Sequence, residues 1–387
     1  MSKAPKILKG MTWGHSRGLL PLQACSQRIK ELYPDVEIHW KQRTLQEFAD
    51  YPIEKLTEHY DLLIIDHPWV GCAADIKCVL PLDQYLSTDF MQNQQDHQVG
   101  GSHDSYNYNG HQWALAIDAA TPVASYRADL LEQHETLVPT TWEDVLQLAK
   151  KGKVAAPSIP IDLLMNFYMF SQIHGEKPFI ASDKVVSDNT GELALESMKE
   201  FYSLLDKELF TANPIKVAEL MSRTNQFWYC PFAYGYSNYS RDGYAQYPLR
   251  YTNIVSYNHV PMRSTLGGTG LAISSFSSYK EEAVRFAEML ASENYQRTEY
   301  VMHGGQPGHR KAWLDPQNNA LTADFFHNTI ATLDNAYLRP RYHGYLHFQD
   351  EAGDYVQDYL LGKISKVTAL EKINTSYRNS KKLVHGN

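Results

Sequence analysis

The stretch from Tyr108 to Asp129, YNGHQWALAIDAATPVASYRAD, limits what this chain can fold into more than any other. Asn109-Gly110 is a tight-turn dipeptide flanked by Tyr108 and Trp113, the pattern of a hairpin. Trp113 to Ile117 is a short apolar run of strand type, ended by Asp118 and a run of small residues. Pro122 fixes its own φ and pushes Thr121 into extended geometry. Val123 to Tyr126 is extended again, and Ala128 to Gln133 turns helical. A buried strand thus leaves one body, crosses a stiff segment bearing a carboxylate, and enters a second body, which reads as a hinge between two lobes. Two strands of one sheet joined by a proline loop is the other reading of the same pattern.

Two bodies suit the length: 387 residues, against about 150 per domain, give two or three domains. Hydrophobic residues are 43% and charged residues 21% of the chain, enough apolar material for two cores. The formal net charge of −8 and the lack of a basic cluster exclude a nucleic-acid partner. No apolar run is long enough to span a bilayer. The first residues are basic, but Ile7-Leu8 gives way to Lys9-Gly10, so no signal peptide is read there. Cys25, Cys72, Cys78 and Cys230 lack zinc-like spacing and read as small hydrophobes, with a Cys72–Cys78 disulfide left open. The aromatic content, 26 Tyr, 7 Trp and 14 Phe, stands out because many of these rings lie in polar, Gly-rich surroundings. Such rings offer an apolar face with a polar handle, which suits a wet binding cleft as well as a core edge.

Along the chain, strands alternate with helices. Ile7–Met11 is a strand, 12–18 a Gly-rich loop, and the apolar periodicity to Leu32 a helix. Val36–Trp40 is a strand, Thr44–Tyr51 and Ile53–His59 are helical, and Asp61–Asp66 is a buried parallel-type strand ending in His67-Pro68-Trp69. Residues 92–103 read as a polar loop. Thr141, with Asp144 three residues on, is an N-cap. Val154–Pro157 is a short strand, and Asp162–His174, Glu192–Leu209 and Val217–Arg223 are helices. The run from Phe227 to Tyr239 is half aromatic and broken by Pro and Gly, so one strand cannot bury all its rings. Ile254–Val260 is extended, Leu266–Ile273 is a Gly-rich turn into a strand, Tyr279–Ala291 is a helix, Gly304–Arg310 a loop, and the tail beyond Leu321 is mostly helical. The alternation predicts α/β lobes with doubly wound sheets flanked by helices, which bind ligands outside the carboxyl ends of the strands.

Four motifs in this order, the Trp113–Asp118 strand with TPVASYRADLL, PTTWEDV, GGTGLAISSFSSYKEEAVRFAEML and GGQPGHRKAW, resemble the extracellular solute-binding proteins of ABC importers, in the group that includes sugar binders. The resemblance covers nearly the whole chain. It implies a two-lobed, type II periplasmic-binding-protein-like fold with a ligand held in the cleft and closure on binding. By that likeness residues 1–117 and 263–313 form lobe 1, 118–262 and 314–387 form lobe 2, and hinges fall near 117–122, 257–262 and 313–320. It also implies a small polar solute, a carbohydrate or sugar acid, as ligand, permease subunits as partners, a monomer, an extracytoplasmic location, and neither catalysis nor a cofactor. The unread signal peptide keeps a cytoplasmic enzyme or ligand sensor on the same fold as the alternative.

In this family the ligand is gripped by loops at strand ends. Carried over by motif, the ligand-binding set is Trp13, His15 and Arg17; Asp66, His67 and Trp69; Asp118; Trp228, Tyr234, Tyr236 and Asn238; Gly268 and Thr269; and Arg310. Rings of this kind stack on a pyranose face while carboxylates and Asn take up hydroxyls. Each has a plainer reading: Asp118 as a cap, Trp13, Trp228 and Tyr236 as packing beneath the cleft, His15 and His67 as scaffold. Arg17 either clamps an acid in bidentate fashion or makes a salt bridge to Asp66 or Asp118. If Arg17 and Arg310 both face the ligand, a uronate is favoured over a neutral sugar. No metal site is read, since His103-Asp104 lies in a polar loop, and neither a P-loop Lys-Ser/Thr nor a nucleophile elbow is present.

Overall fold

The computed structural model describes residues 5–43 and 53–385; the helix expected over Thr44–Tyr51 lies outside them. In chain order the described strands are β1 (Lys6–Trp13), β2 (Val36–Arg43), β3 (Leu62–Ile65), β4 (Asn107–Tyr108), β5 (His111–Gln112), β6 (Leu115–Ala116), β7 (Pro122–Tyr126), β8 (Tyr229–Tyr234), β9 (Arg250–Thr252), β10 (Ser256–Tyr257), β11 (Val260–Pro261) and β12 (Gly270–Ile273). The chain divides into two compact units. The first holds Met1–Ala120, Gly267–Ala320 and Arg341–His343, and the second holds Thr121–Leu266, Leu321–Pro340 and Gly344–Asn387. The chain changes unit at 120/121, 266/267 and 320/321, where hinges are expected near 117–122, 257–262 and 313–320. The short return of Arg341–His343 to the first unit had no signal in the sequence.

The first unit is built on a five-stranded sheet of order β2-β1-β3-β12-β6. β1 runs parallel to β2 and β3, while β12 is antiparallel to both β3 and β6. Both faces are covered, so the central strands are apolar at every position rather than alternating. Leu62, Ile64, Leu271 and Ile273 face the core under the helices Ser16–Leu32 and Lys280–Ala291. Leu63, Ile65 and Ala272 face the core that includes Val70 and Ala73 of the helix Trp69–Ile76. The expected turn at Asn109-Gly110 is present: both residues have positive φ, and Asn107 pairs with Gln112 across it.

Two expectations for this unit are corrected. Residues 12–18 are not all loop, because β1 continues to Trp13 and the helix starts at Ser16. Residues 92–103 are not all loop either: a helix covers Thr88–Asp96, capped where the Ser87 hydroxyl accepts from the Phe90 amide at 3.2 Å. Its polar sequence hid it, since only one narrow side packs. After β3 a short turn at 66–68 leads into the helix Trp69–Ile76. Cys72 and Cys78 are both thiols.

The second unit has a three-stranded antiparallel sheet, β8-β7-β9, with a parallel bridge from Val154 to Tyr229 in place of the strand expected at Val154–Pro157. Ile254–Val260 is the antiparallel hairpin β10–β11 rather than one extended run. Helices Pro160–Ile173, Asp188–Tyr202, Tyr345–Leu360 and Lys366–Ser380 each bury an apolar face in the core. The helix Asp188–Tyr202 stops before Leu205, so the expected span to Leu209 is too long. Trp142 opens its helix from the expected cap and packs on Phe170, Phe201 and Phe232. The cap is a full capping box: the Thr141 hydroxyl accepts from the Asp144 amide, and the Asp144 carboxylate accepts from the Thr141 amide.

Candidate functional site

Register decides which loops of the first unit meet. Gly270 pairs with Ile65 and with Ala116, so the start of β12 lies beside the ends of β3 and β6. β1 is parallel to β3, and its end lies on the same edge. Thus His15, Asp66, Asp118 and Thr269, drawn from four separate stretches, converge on one edge of one sheet. The loops after β1 and β3 follow from alternation, while Asp118 and Thr269 came into the expected set through the family resemblance.

Arg17 and Asp118 are nearly inaccessible, at 4% and 1% exposure, and they bind each other. Nε donates to Oδ2 at 2.7 Å and Nη2 to Oδ1 at 2.5 Å, a two-pronged pair. Burial pushes the Asp118 carboxyl upward, and the guanidinium opposes it; we take the pair as ionised, because two charge-assisted bonds hold the carboxylate form. The backbone of Asp118 is held as well. Its amide donates to the Thr269 carbonyl, the Thr269 amide returns a bond to its carbonyl, and Pro307 bridges it from the other side. Gly268 has φ of 97°, and a Cβ there would run into the Asp118 carbonyl, so this turn requires glycine.

His15 caps the helix Ser16–Leu32, with Nδ1 accepting from the Arg17 amide at 3.0 Å. Burial and the Arg17 charge bring its pKa down to about 4, so the ring is neutral and its proton sits on Nε2. Asp66 is partly exposed and accepts from the His67 amide at 2.9 Å. His67 is fully buried, 3.3 Å from Asp66 through Nδ1, and meets Tyr106 edge-on. Trp69 is half-buried at the start of its helix. Thr269 is buried, and its hydroxyl has no protein partner.

Other expected residues are placed differently. Trp13 is in the core, its ring filling the space over Gly18. Arg310 donates from Nε to the Gln98 carbonyl at 3.0 Å, and its amide bonds the His97 carbonyl, so it ties the loop Gly304–His309 to the residues after the helix Thr88–Asp96. Trp228, Tyr234, Tyr236 and Asn238 belong to the second unit. Trp228 is stacked by His134 at 4.4 Å, Lys153 stands over its ring at 4.8 Å, and its indole N–H is spent on the Asn225 carbonyl. Its faces are occupied by the protein, so the packing reading is the one this geometry favours. Tyr234 is half-buried at the end of β8, and Tyr236 and Asn238 are buried at the short turn that follows. A groove of about 900 Å³ in the first unit, lined by Gln27, Arg28, Glu288, Met289 and Thr298, contains none of the expected residues. Concavity alone is therefore a poor guide here.

Two residues at this edge escaped the sequence reading. Tyr106 is buried with its hydroxyl 3.2 Å from the Ile65 carbonyl and 3.4 Å from that of Gly268. Gln306 donates to the Ala119 carbonyl while its own carbonyl accepts from the Ala119 amide. Both act across long sequence separations, and only the loop position of Gln306 was legible. His343 and His347 stand at a metal-like spacing, yet they face Asp75 and Glu351. Among the described residues, no three His, Cys, Asp or Glu side chains are placed to hold a metal.

Comparison with known proteins adds to this geometry. A family model described as bacterial extracellular solute-binding protein matches residues 30–297. The maltotriose-binding protein of Pyrococcus abyssi is 25% identical over 129 residues, 33% of this chain and 27% of that protein, so the match spans about a quarter of that relative. Among solved structures, a maltose-bound protein of T. maritima superposes with a TM-score of 0.84 at 20% identity, over 96% of this chain and 99% of that one. A solute-binding protein of Agrobacterium radiobacter in complex with ribitol gives 0.82 at 22% identity, over 98% and 99%. At these identities the structural matches establish a shared two-lobed α/β fold.

Proposed function

Because this chain belongs to the bacterial extracellular solute-binding proteins, we propose that it captures a neutral polyhydroxylated solute, a sugar or sugar alcohol, for uptake by an ABC importer. The observation that carries the choice of a neutral solute is the engagement of both arginines that would have favoured an acid. Arg17 is neutralised by Asp118, and Arg310 turns its Nε to the Gln98 carbonyl. A uronate brought to this edge finds Arg17 already neutralised, and meets the partly exposed Asp66 as a like charge. Solute hydroxyls fit what the edge offers: the Asp66 carboxylate accepts, the Nε2–H of His15 donates, and the Thr269 hydroxyl can do both. The relatives named for maltotriose, maltose and ribitol support the same class.

On this reading the chain binds and does not transform its solute, works outside the cytoplasm as a monomer, and has permease subunits as its partners. Asp66, His15 and Thr269 are the contacts proposed in the first unit. Arg17, Asp118, Trp13 and Trp228 act as support. Calorimetry with neutral sugars, sugar alcohols and the matching uronates tests it. A micromolar neutral ligand, about −8 kcal/mol, whose uronate is bound at least roughly tenfold more weakly, is the expected result. A uronate bound more tightly than its parent sugar overturns the proposal.

A further inference from the structure

We infer that Tyr106 is a positioning residue of this edge, tying the loop after β3 to the turn before β12 through its hydroxyl. The inference rests on the reading of the edge as the solute site. The β3–β12 ladder ends at the Ile65–Gly270 pair. Beyond that pair the chain continues to Asp66 on one side and comes from Thr269 and Gly268 on the other. The Tyr106 hydroxyl lies within 3.2 Å of the Ile65 carbonyl and 3.4 Å of the Gly268 carbonyl, each one position from a proposed contact residue. One phenolic proton serves two acceptors, so the hydroxyl holds both carbonyls at a common distance and thereby sets the spacing from Asp66 to Thr269.

The ring is fixed as firmly as the hydroxyl. Tyr106 is only 2% exposed. Its ring lies where a Cβ on Gly270 would come within 2.7 Å, so glycine at 270 makes room for it. The edge of the buried His67 imidazole meets it at a centroid distance of 6.3 Å. The turn that carries Tyr106 is itself gripped: Nη1 of Arg341 reaches the carbonyls of Asp104, Ser105 and Asn107 at 2.8, 3.0 and 2.6 Å. The return of Arg341–His343 to the first unit thus fixes the turn, the turn fixes the ring, and the ring fixes two loops. A binding edge made of loops gains affinity from such support, because the contact groups are ordered before the solute arrives.

The test uses the full chain and two readouts. Tyr106→Phe keeps the ring and removes the tie. Amide hydrogen exchange without solute is expected to rise at 66–69 and 267–269 and to stay unchanged in β1 and in β7–β9. Affinity for a panel of maltose, glucose and ribitol is expected to fall roughly fivefold to tenfold, the worth of about one hydrogen bond. Arg341→Ala, which loosens the turn without touching the ring, is expected to give the same exchange pattern in weaker form. Unchanged exchange at both loops in Tyr106→Phe overturns the inference. So does raised exchange with unchanged affinity for a sugar that Asp66→Asn no longer binds, since the hydroxyl is then structural only. If the native chain binds none of the panel, the solute reading fails on that result alone. The exchange pattern then decides whether Tyr106 ties the loops.

Discussion

Arg17 and Asp118 pay several kcal/mol each in lost hydration, and their two-pronged contact offsets that only while both are present. Asp118→Ala is therefore expected to cost about 3–5 kcal/mol in urea unfolding, because it strands a buried guanidinium. The double variant Arg17→Met with Asp118→Leu should recover most of the loss. A single variant no worse than the double would show that the pair is not the support described. Asp162, in the second unit, is the opposite case. It is buried in the first turn of the helix Pro160–Ile173, its Oδ2 lacks a partner, and burial raises its pKa to about 8. The folded state thus keeps a proton that the unfolded chain releases near pH 4. Stability is expected to fall as pH rises from about 4 to 8 and then level off. Asp162→Asn should remove that slope and raise the melting temperature at pH 8. An identical slope in the variant would assign the effect elsewhere. His15 makes a third statement about pH. With its pKa held near 4, solute affinity should stay flat from pH 8 to pH 5 and weaken only as the ring takes a proton that Nδ1 must accept. A step in affinity near pH 6.5 would show His15 to be exposed and ordinary.

At the scale of elements, features written in adjacent residues were legible and features written across the chain were not. Asn109-Gly110 can only be a tight turn, and Thr141 with Asp144 can only cap a helix, because the bonds involved span two or three residues. Thr141→Ala should lower stability by about 1 kcal/mol, seen as a drop of a few degrees in melting temperature. No change would mean that the box adds nothing beyond the packing of Trp142. The helix Thr88–Asp96 was missed because its hydrophobic signal is nearly absent, and the buried Gln94 is anchored to the distant Ala291 carbonyl instead. The site divides in the same way. The loops after β1 and β3 could be read from strand alternation, whereas Asp118 and Thr269 entered the expected set by resemblance. The choice of Asp118 over Asp66 as the partner of Arg17, and the stacking of His134 on Trp228, depend on side-chain geometry that no local pattern encodes. Tyr106 and Arg341 were invisible for the same reason.

The whole molecule is organised by one fact of connectivity: the first unit is interrupted by the second. Residues 1–120 contain β1 to β6 but lack β12, the strand that stands between β3 and β6. A fragment of those residues is expected to show no cooperative thermal transition and a collapsed amide spectrum by NMR. A dispersed spectrum with a cooperative melt would mean that β12 is dispensable. The same connectivity acts in time. Ile65 and Gly270 are neighbours in the sheet but about 200 residues apart in the chain. At about 5–20 residues per second, a ribosome leaves the apolar edge of β3 waiting on the order of 10–40 s for its partner. The sheet β8-β7-β9 is fully synthesised within that interval. Synthesis therefore completes the strands of the middle sheet before those of the first, and β3 has no partner on its β12 side until β12 emerges.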